Sequence, residues 1–236
     1  MNILTDILEV NREVAGKALA ALKACPLLIP VTIGVLLANV LIAMTAGLFG
    51  FLAGLFLLIA DGALLGAYLY ALEQVIRYRK LRPRDLQDGV QVYFRRTVIV
   101  LMIGNLAAYA LSILSGILGA LGVPLMLAAS LGAFIFLNPL PEMLYLRHYS
   151  EGESLSRSYE FIVENWLDWF VPLLPMMLLA FGGGFLGNLL MPGLGTLPGL
   201  LVQAVVLPFL MVYRGFLFDL LSKSSRRKRQ FRRNLH

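Results

Sequence analysis

Three pairs of polar residues interrupt apolar stretches at nearly constant spacing: Asp61 stands twelve residues before Glu73, Ser130 twelve before Glu142, and Gln203 eleven before Arg214. On a helix, eleven or twelve residues rise about 17–18 Å. Each pair would therefore set one polar group near mid-membrane and one ionisable group nearer a membrane face. Grouped around a common axis, the six side chains would form two polar layers. Glu73 and Glu142 against Arg214 would then leave one negative charge for a proton, a cation or a basic ligand group to balance. A purely structural reading is that Glu73, Glu142 and Arg214 snorkel, with aliphatic stems in the apolar layer and charged heads in water. Asp61 is too short to do so. An ionised carboxylate at the bilayer centre costs at least about 2.5–3.5 kcal/mol, so Asp61 is protonated, paired or facing a polar cavity. Its structural reading is a helix-packing kink at Asp61-Gly62, with the acid bonded to a neighbouring helix.

Other chemistries lack their residues. There is no HExxH, no GxSxG and no Asp-rich metal-phosphate motif, and the acids are scattered, so no catalytic residue is assigned and no enzyme activity is expected. Cys25 is the one cysteine, and His148 and His236 are the two histidines. Neither a multi-thiolate nor a histidine-rich metal site can be assembled from these, and no cofactor motif is present. FGGGFLG (181–187) lies inside an apolar run instead of following a strand, which excludes a nucleotide loop.

The elements that must position these groups follow from composition. Of 236 residues, 59% are hydrophobic and 14% charged, against roughly 25% charged in a soluble domain. Six apolar segments can be drawn, at about 26–46, 51–76, 97–120, 124–147, 168–190 and 196–221. Each exceeds the roughly 20 residues a membrane helix needs, and runs this continuous are helices, not barrel strands. The first follows a charged, helix-patterned stretch of about 25 residues and is not expected to be a cleavable signal. The connections GLFG (47–50), ALGVP (120–124) and LLMPGLGTLP (189–198) contain none of the 20 basic residues. By the positive-inside rule both termini face the cytoplasm of a prokaryotic inner membrane.

A polar-apolar segment precedes each pair of spans. Leu86, Val90 and Tyr93 fall at i, i+4 and i+7, as do Leu155, Tyr159 and Ile162, with Pro83 and Ser154 as start signals. Ile3, Leu4, Ile7, Leu8, Val14, Ala18 and Leu22 form a longer stripe expected to lie along the membrane interface. The fold class is thus an all-α integral membrane protein: six transmembrane helices in three pairs, each preceded by a cytoplasmic interfacial amphipathic helix. Its single domain, 1–221, divides into units of about 1–80, 81–150 and 151–221. A shift of 69 residues maps Leu86 to Leu155 and Glu73 to Glu142, an architectural repeat.

Within the fourth segment, NPLPE marks a break. Pro139 and Pro141 each remove a backbone donor, and Asn138 can bond the carbonyls released. Asn39, Asn105 and Asn188 read as interhelical hydrogen bonders, and FGGGFLG with GILGALG (116–122) as surfaces of close helix approach. Trp166 and Trp169 suit interfacial anchoring. The tail, 222–236, carries Arg226, Arg227, Lys228, Arg229, Arg232 and Arg233. Just cytoplasmic of a span, it is expected to fix topology and bind anionic lipid headgroups. It contains no module that reads nucleic acid.

With six spans, interfacial helices before the pairs and L-x-x-x-Y-x-x-I leading into an aromatic span entry (LSRSYEFIVENWLDWF, 155–170), the chain resembles a broad group of uncharacterised prokaryotic membrane domains. That group includes the membrane domain fused to glycerophosphodiester phosphodiesterases. The phosphodiesterase catalytic domain has no counterpart here. The resemblance implies a small inner-membrane protein concerned with lipids or export. The function expected is a transport or permeation component for a small solute, ion or lipid-related substrate. Its alternative is a non-transporting scaffold or partner subunit that binds anionic lipids, another membrane or cytoplasmic subunit, or a second copy. A cavity reaching Asp61 favours the first, and tight packing around it the second.

Overall fold

A computed structural model describes residues 3–190 and 197–223, and all regular structure among them is helical. The elements are α1 (Ile3–Ala24), α2 (Leu28–Ala46), a 3₁₀ segment (Gly47–Leu52), α3 (Ala53–Tyr78), α4 (Pro83–Leu118), a 3₁₀ turn (Gly119–Leu121), α5 (Gly122–Phe136), α6 (Leu140–Glu142), a π-helical turn (Met143–Arg147), α7 (Glu151–Leu190) and α8 (Leu197–Lys223). Among the described residues, four helical stretches, Leu28–Tyr78, Pro83–Arg147, Glu151–Ala180 and Val202–Lys223, are long and apolar enough to cross a membrane. The basic tail lies outside the described residues, as do most of the 189–198 connection and the side chain of Asn188.

The chain forms two compact units, each assembled from separated segments. The first comprises 1–35, 71–82 and 164–236. In it α1 packs on α8, and a stripe at Ile7, Val10, Val14, Ala18 and Ala21, continued by Cys25 just past the helix end, is buried. These positions repeat every three or four residues, as one helix face requires. The stripe corrects the interfacial expectation: Leu8 is exposed and the apolar face meets protein. The Tyr213 hydroxyl donates to Asn11 Oδ1 at 2.6 Å, giving a polar fastening inside this face. Arg79 adds a second. It ends α3 in the left-handed conformation (φ 54°), donates to Lys17 O at 2.9 Å, and places its guanidinium 4.7 Å from the centre of the Phe216 ring. Burial pushes the Cys25 thiol above its ordinary pKa, with Arg79 pulling the other way.

The second unit comprises 36–70 and 83–163. Here Asn39 Nδ2 lies 3.4 Å from Asp61 Oδ1, 22 residues away, whereas a straight helix would separate them by about 33 Å. The chain reverses within the 3₁₀ segment, where Gly50 adopts φ 51°, ψ −122°, a conformation open to glycine and strained for other residues. Tyr93 Oη likewise lies 3.4 Å from Tyr145 O, 52 residues on, with a second reversal at Gly119 (φ 56°).

Two of the three polar-apolar segments are not separate helices. Residues 83–96 and 97–118 form one uninterrupted α4, and 151–167 runs straight into the apolar part of α7. Only α1 is separated from the next helix, at 25–27, where Pro26 lacks the donor a continuing helix would use. The buried stripe of α7 is also displaced by a residue from the expected one. Ser154, Ser158, Phe161, Ile162 and Asn165 are buried, whereas Tyr159 is exposed. A membrane protein has reason to turn polar side chains inward, so the hydrophobic period alone selects the wrong face.

The break at NPLPE is present. α5 stops at Phe136, Leu140 N bonds Leu137 O at 3.1 Å, and Met143 N bonds Pro139 O at 3.1 Å. The Phe136 carbonyl, deprived of the usual i+4 donor, receives the Ser158 hydroxyl at 2.6 Å. That side chain of α7, not foreseen in the sequence, caps the interrupted helix. Glu142 follows directly at 0% exposure, leading into the π turn, which ends at His148 in the left-handed region.

Candidate functional site

Helices α3 and α4 cross closely because three glycines allow it. A Cβ added to Gly62 would stand 2.5 Å from Val98 Cγ2, one on Gly66 3.4 Å from Phe94 N, and one on Gly89 2.6 Å from Tyr70 Cβ and 3.0 Å from Ala67 Cα. The Thr97 hydroxyl, 2.7 Å from Gly62 O, adds a hydrogen bond at the crossing. These positions lie outside the glycine surfaces expected from sequence, of which Gly122 is nevertheless a close contact, an added Cβ standing 2.1 Å from Ser115 O of α4. Gly116 and Gly182 have nothing within 4 Å, so they are not contact points.

Beyond the crossing the two helices leave between them a half-open cavity of about 640 Å³. Gly54, Leu58 and Asp61 of α3 line it at i, i+4 and i+7, and Leu101, Asn105 and Tyr109 of α4 face it at i, i+4 and i+8. Further leucines and Met102 make the remaining wall apolar. Asp61, the residue next to Gly62, sits where the wedge narrows.

Asp61 is half-buried and takes one long hydrogen bond, 3.4 Å, from the Asn39 amide. Its second carboxylate oxygen has no hydrogen-bond partner among the described residues, nor has the side-chain amide of Asn105. No lining residue is basic. The site therefore offers a carboxylate and an amide within an apolar wedge. Among the described residues no group of histidine, cysteine and acidic side chains could hold a metal ion.

The remaining sequence candidates are placed differently. Ser130 is exposed on α5 and is not among the residues lining the cavity. Glu142, of the same unit, is wholly enclosed at the α5 break. Glu73, Gln203 and Arg214 belong to the other unit. There Glu73 is 6% exposed and lies 3.2 Å from Arg77 Nε, Gln203 is half-buried, and Arg214, 7% exposed, has its guanidinium 5.5 Å from the Trp169 ring centre. Burial of Glu73, Glu142 and Arg214 contradicts snorkelling, which needs their heads in water. Trp169 is 0% exposed and is core instead of interfacial anchor, whereas Trp166 is 56% exposed.

Of the asparagines read as interhelical bonders, Asn39 is one, reaching Asp61. Asn105 instead lines the cavity, and its role there was not foreseen. Depth was the available signal. Asn39 lies seven residues before the end of α2 and Asp61 eight after the start of α3, so reflection about the intervening turn sets them level. No protein-family model, no curated protein and no solved structure matches the chain.

Proposed function

We propose that the chain is a transport or permeation component of a prokaryotic inner membrane, built from six crossings in three hairpins with both termini cytoplasmic. The single observation that carries the functional reading is the cavity of about 640 Å³ ending at Asp61, with Asn105 in its wall. Volumes of roughly 300–1,000 Å³ suit small-molecule sites, and an ionisable group at membrane depth marks a substrate or ion path more often than packing alone. The six-crossing reading rests on length. Leu28–Tyr78, at 51 residues, would make a rod of about 76 Å, over twice the roughly 30 Å hydrocarbon core. The Asn39–Asp61 approach brings its two halves together.

Proteoliposomes offering entrapped monovalent cations, small neutral solutes and a fluorescent phospholipid test the function. At least one should move about tenfold faster through wild type than through Asp61→Asn, equivalent to about 1.4 kcal/mol of barrier. The near-isosteric amide should leave elution volume and helicity unchanged. Equal rates for every probe would remove the transport reading and leave the scaffold. For topology, cysteines at Leu48 and Leu121, 85% and 70% exposed, should react with an impermeant thiol reagent in sealed right-side-out vesicles. A cysteine at Arg82 should stay unlabelled until the vesicles are opened, and labelling of Arg82→Cys in intact vesicles would overturn the assignment.

A further inference from the structure

We infer that the wedge between α3 and α4 is a binding site for an amphiphile with a protonated amine headgroup and an apolar body, admitted sideways from the bilayer. The inference rests on the transport reading for its purpose and on the groove alone for its chemistry. Three observations fix the ligand class. The cavity is half-open, about 640 Å³, and walled mainly by leucines and Met102, which suits a short alkyl or aryl body. At its narrow end the Asp61 carboxylate receives only the Asn39 amide, at 3.4 Å, and no lining residue supplies a positive charge. Further along the wall of the same cavity, the Asn105 amide has no partner among the described residues. An ammonium carries three donors and no acceptor, so it answers the free carboxylate oxygen of Asp61. An anionic headgroup would instead meet Asp61 with like charge, at a cost magnified where water is scarce.

The volume also separates this occupant from a helix of a partner chain. A helix is about 10–12 Å across with its side chains, and a wedge within the small-molecule range does not enclose several turns of one. Lateral entry follows from the openness of the site. Leu55 and Leu106, both lining residues, are 54% and 60% exposed, so the wall is continuous with the lipid-facing surface of its helices.

The test uses the full chain in nanodiscs and three probes of equal chain length: decylammonium, decanol and decyl phosphate. Binding is read by competition against a fluorescent alkylammonium. Decylammonium should bind at least tenfold more tightly than decanol, and decyl phosphate should not compete. Asp61→Asn should bring decylammonium to the level of decanol, Asp61→Glu should restore the preference, and Leu106→Trp, which fills the wedge, should weaken both ligands while the protein stays monodisperse. Equal binding of amine and alcohol by wild type, or an unchanged amine preference in Asp61→Asn, would overturn the assignment. Cross-linking between copies through a cysteine at Leu58, undiminished by saturating decylammonium, would also overturn it, because a second chain would then occupy the groove. Binding through Asp61 without movement across the bilayer removes the transport reading and keeps this site. Flux of another solute through Asp61 without amine preference does the reverse.

Discussion

Replacing Gly89 by leucine should prevent the chain from accumulating as a monodisperse protein, and replacing it by alanine should cost about 1–3 kcal/mol, the usual penalty for overpacking. A Cβ at this position meets Ala67 Cα at 3.0 Å and Ala67 O at 3.2 Å, besides Tyr70 Cβ at 2.6 Å. Two of those atoms are backbone and cannot rotate away, so α3 and α4 must separate, weakening the Thr97 contact to the Gly62 carbonyl. Gly104 is the control on the same helix. It has nothing within 4 Å, and Gly104→Ala should be stabilising by about 0.5–1 kcal/mol through helix propensity alone. Thermal denaturation in detergent, followed by elution profile, separates the two. A Gly89→Leu protein as stable as wild type would show that the crossing is not close.

Trp169→Ala should destabilise the protein by about 3–5 kcal/mol, as removal of a wholly buried aromatic does. The ring is 0% exposed, meets Phe218 edge to face with centroids 6.4 Å apart, and lies beneath the Arg214 guanidinium. The substitution opens a void and also withdraws a cation–π contact that reaches about 2 kcal/mol when desolvated. Trp169→Phe should recover much of the loss. Trp166→Ala, at an exposed position, should stay within about 0.5 kcal/mol of wild type. Equal melting temperatures for the alanine variants at 166 and 169 would contradict the burial difference.

That pair of tryptophans shows where the sequence was informative and where it was not. Both stand at a span entry, and composition cannot tell which faces inward; the answer lies in a three-residue rotation that decides contact with α8. Helical class was legible because long apolar runs leave the backbone one way to satisfy itself. So was the NPLPE break, because proline removes donors at fixed positions. The partner that repairs the break, Ser158, was not legible, since its hydroxyl acts 22 residues away from Phe136. At the site, the cost of an acid in hydrocarbon singled out Asp61. Its companions Asn39 and Asn105 were not assigned to it, because spacing along one helix says nothing about which neighbouring helix presents an amide at the same depth. Ser130 shows the same failure in reverse: it keeps the twelve-residue spacing yet stands outside the cavity.

The continuity of α4 has a mechanical consequence. Its 36 residues make a rod of about 54 Å, well beyond the hydrocarbon thickness, with no proline after Pro83 at its first position to act as a joint. The polar stretch at 83–96 and the cavity wall at Leu101–Tyr109 are therefore opposite arms of one lever, and the close contacts at Gly89 and Gly62 lie along its length. A push on the polar arm cannot be absorbed locally, as it could be at the loop separating α1 from α2. It must tilt the far arm, and so widen or narrow the space beside Asp61.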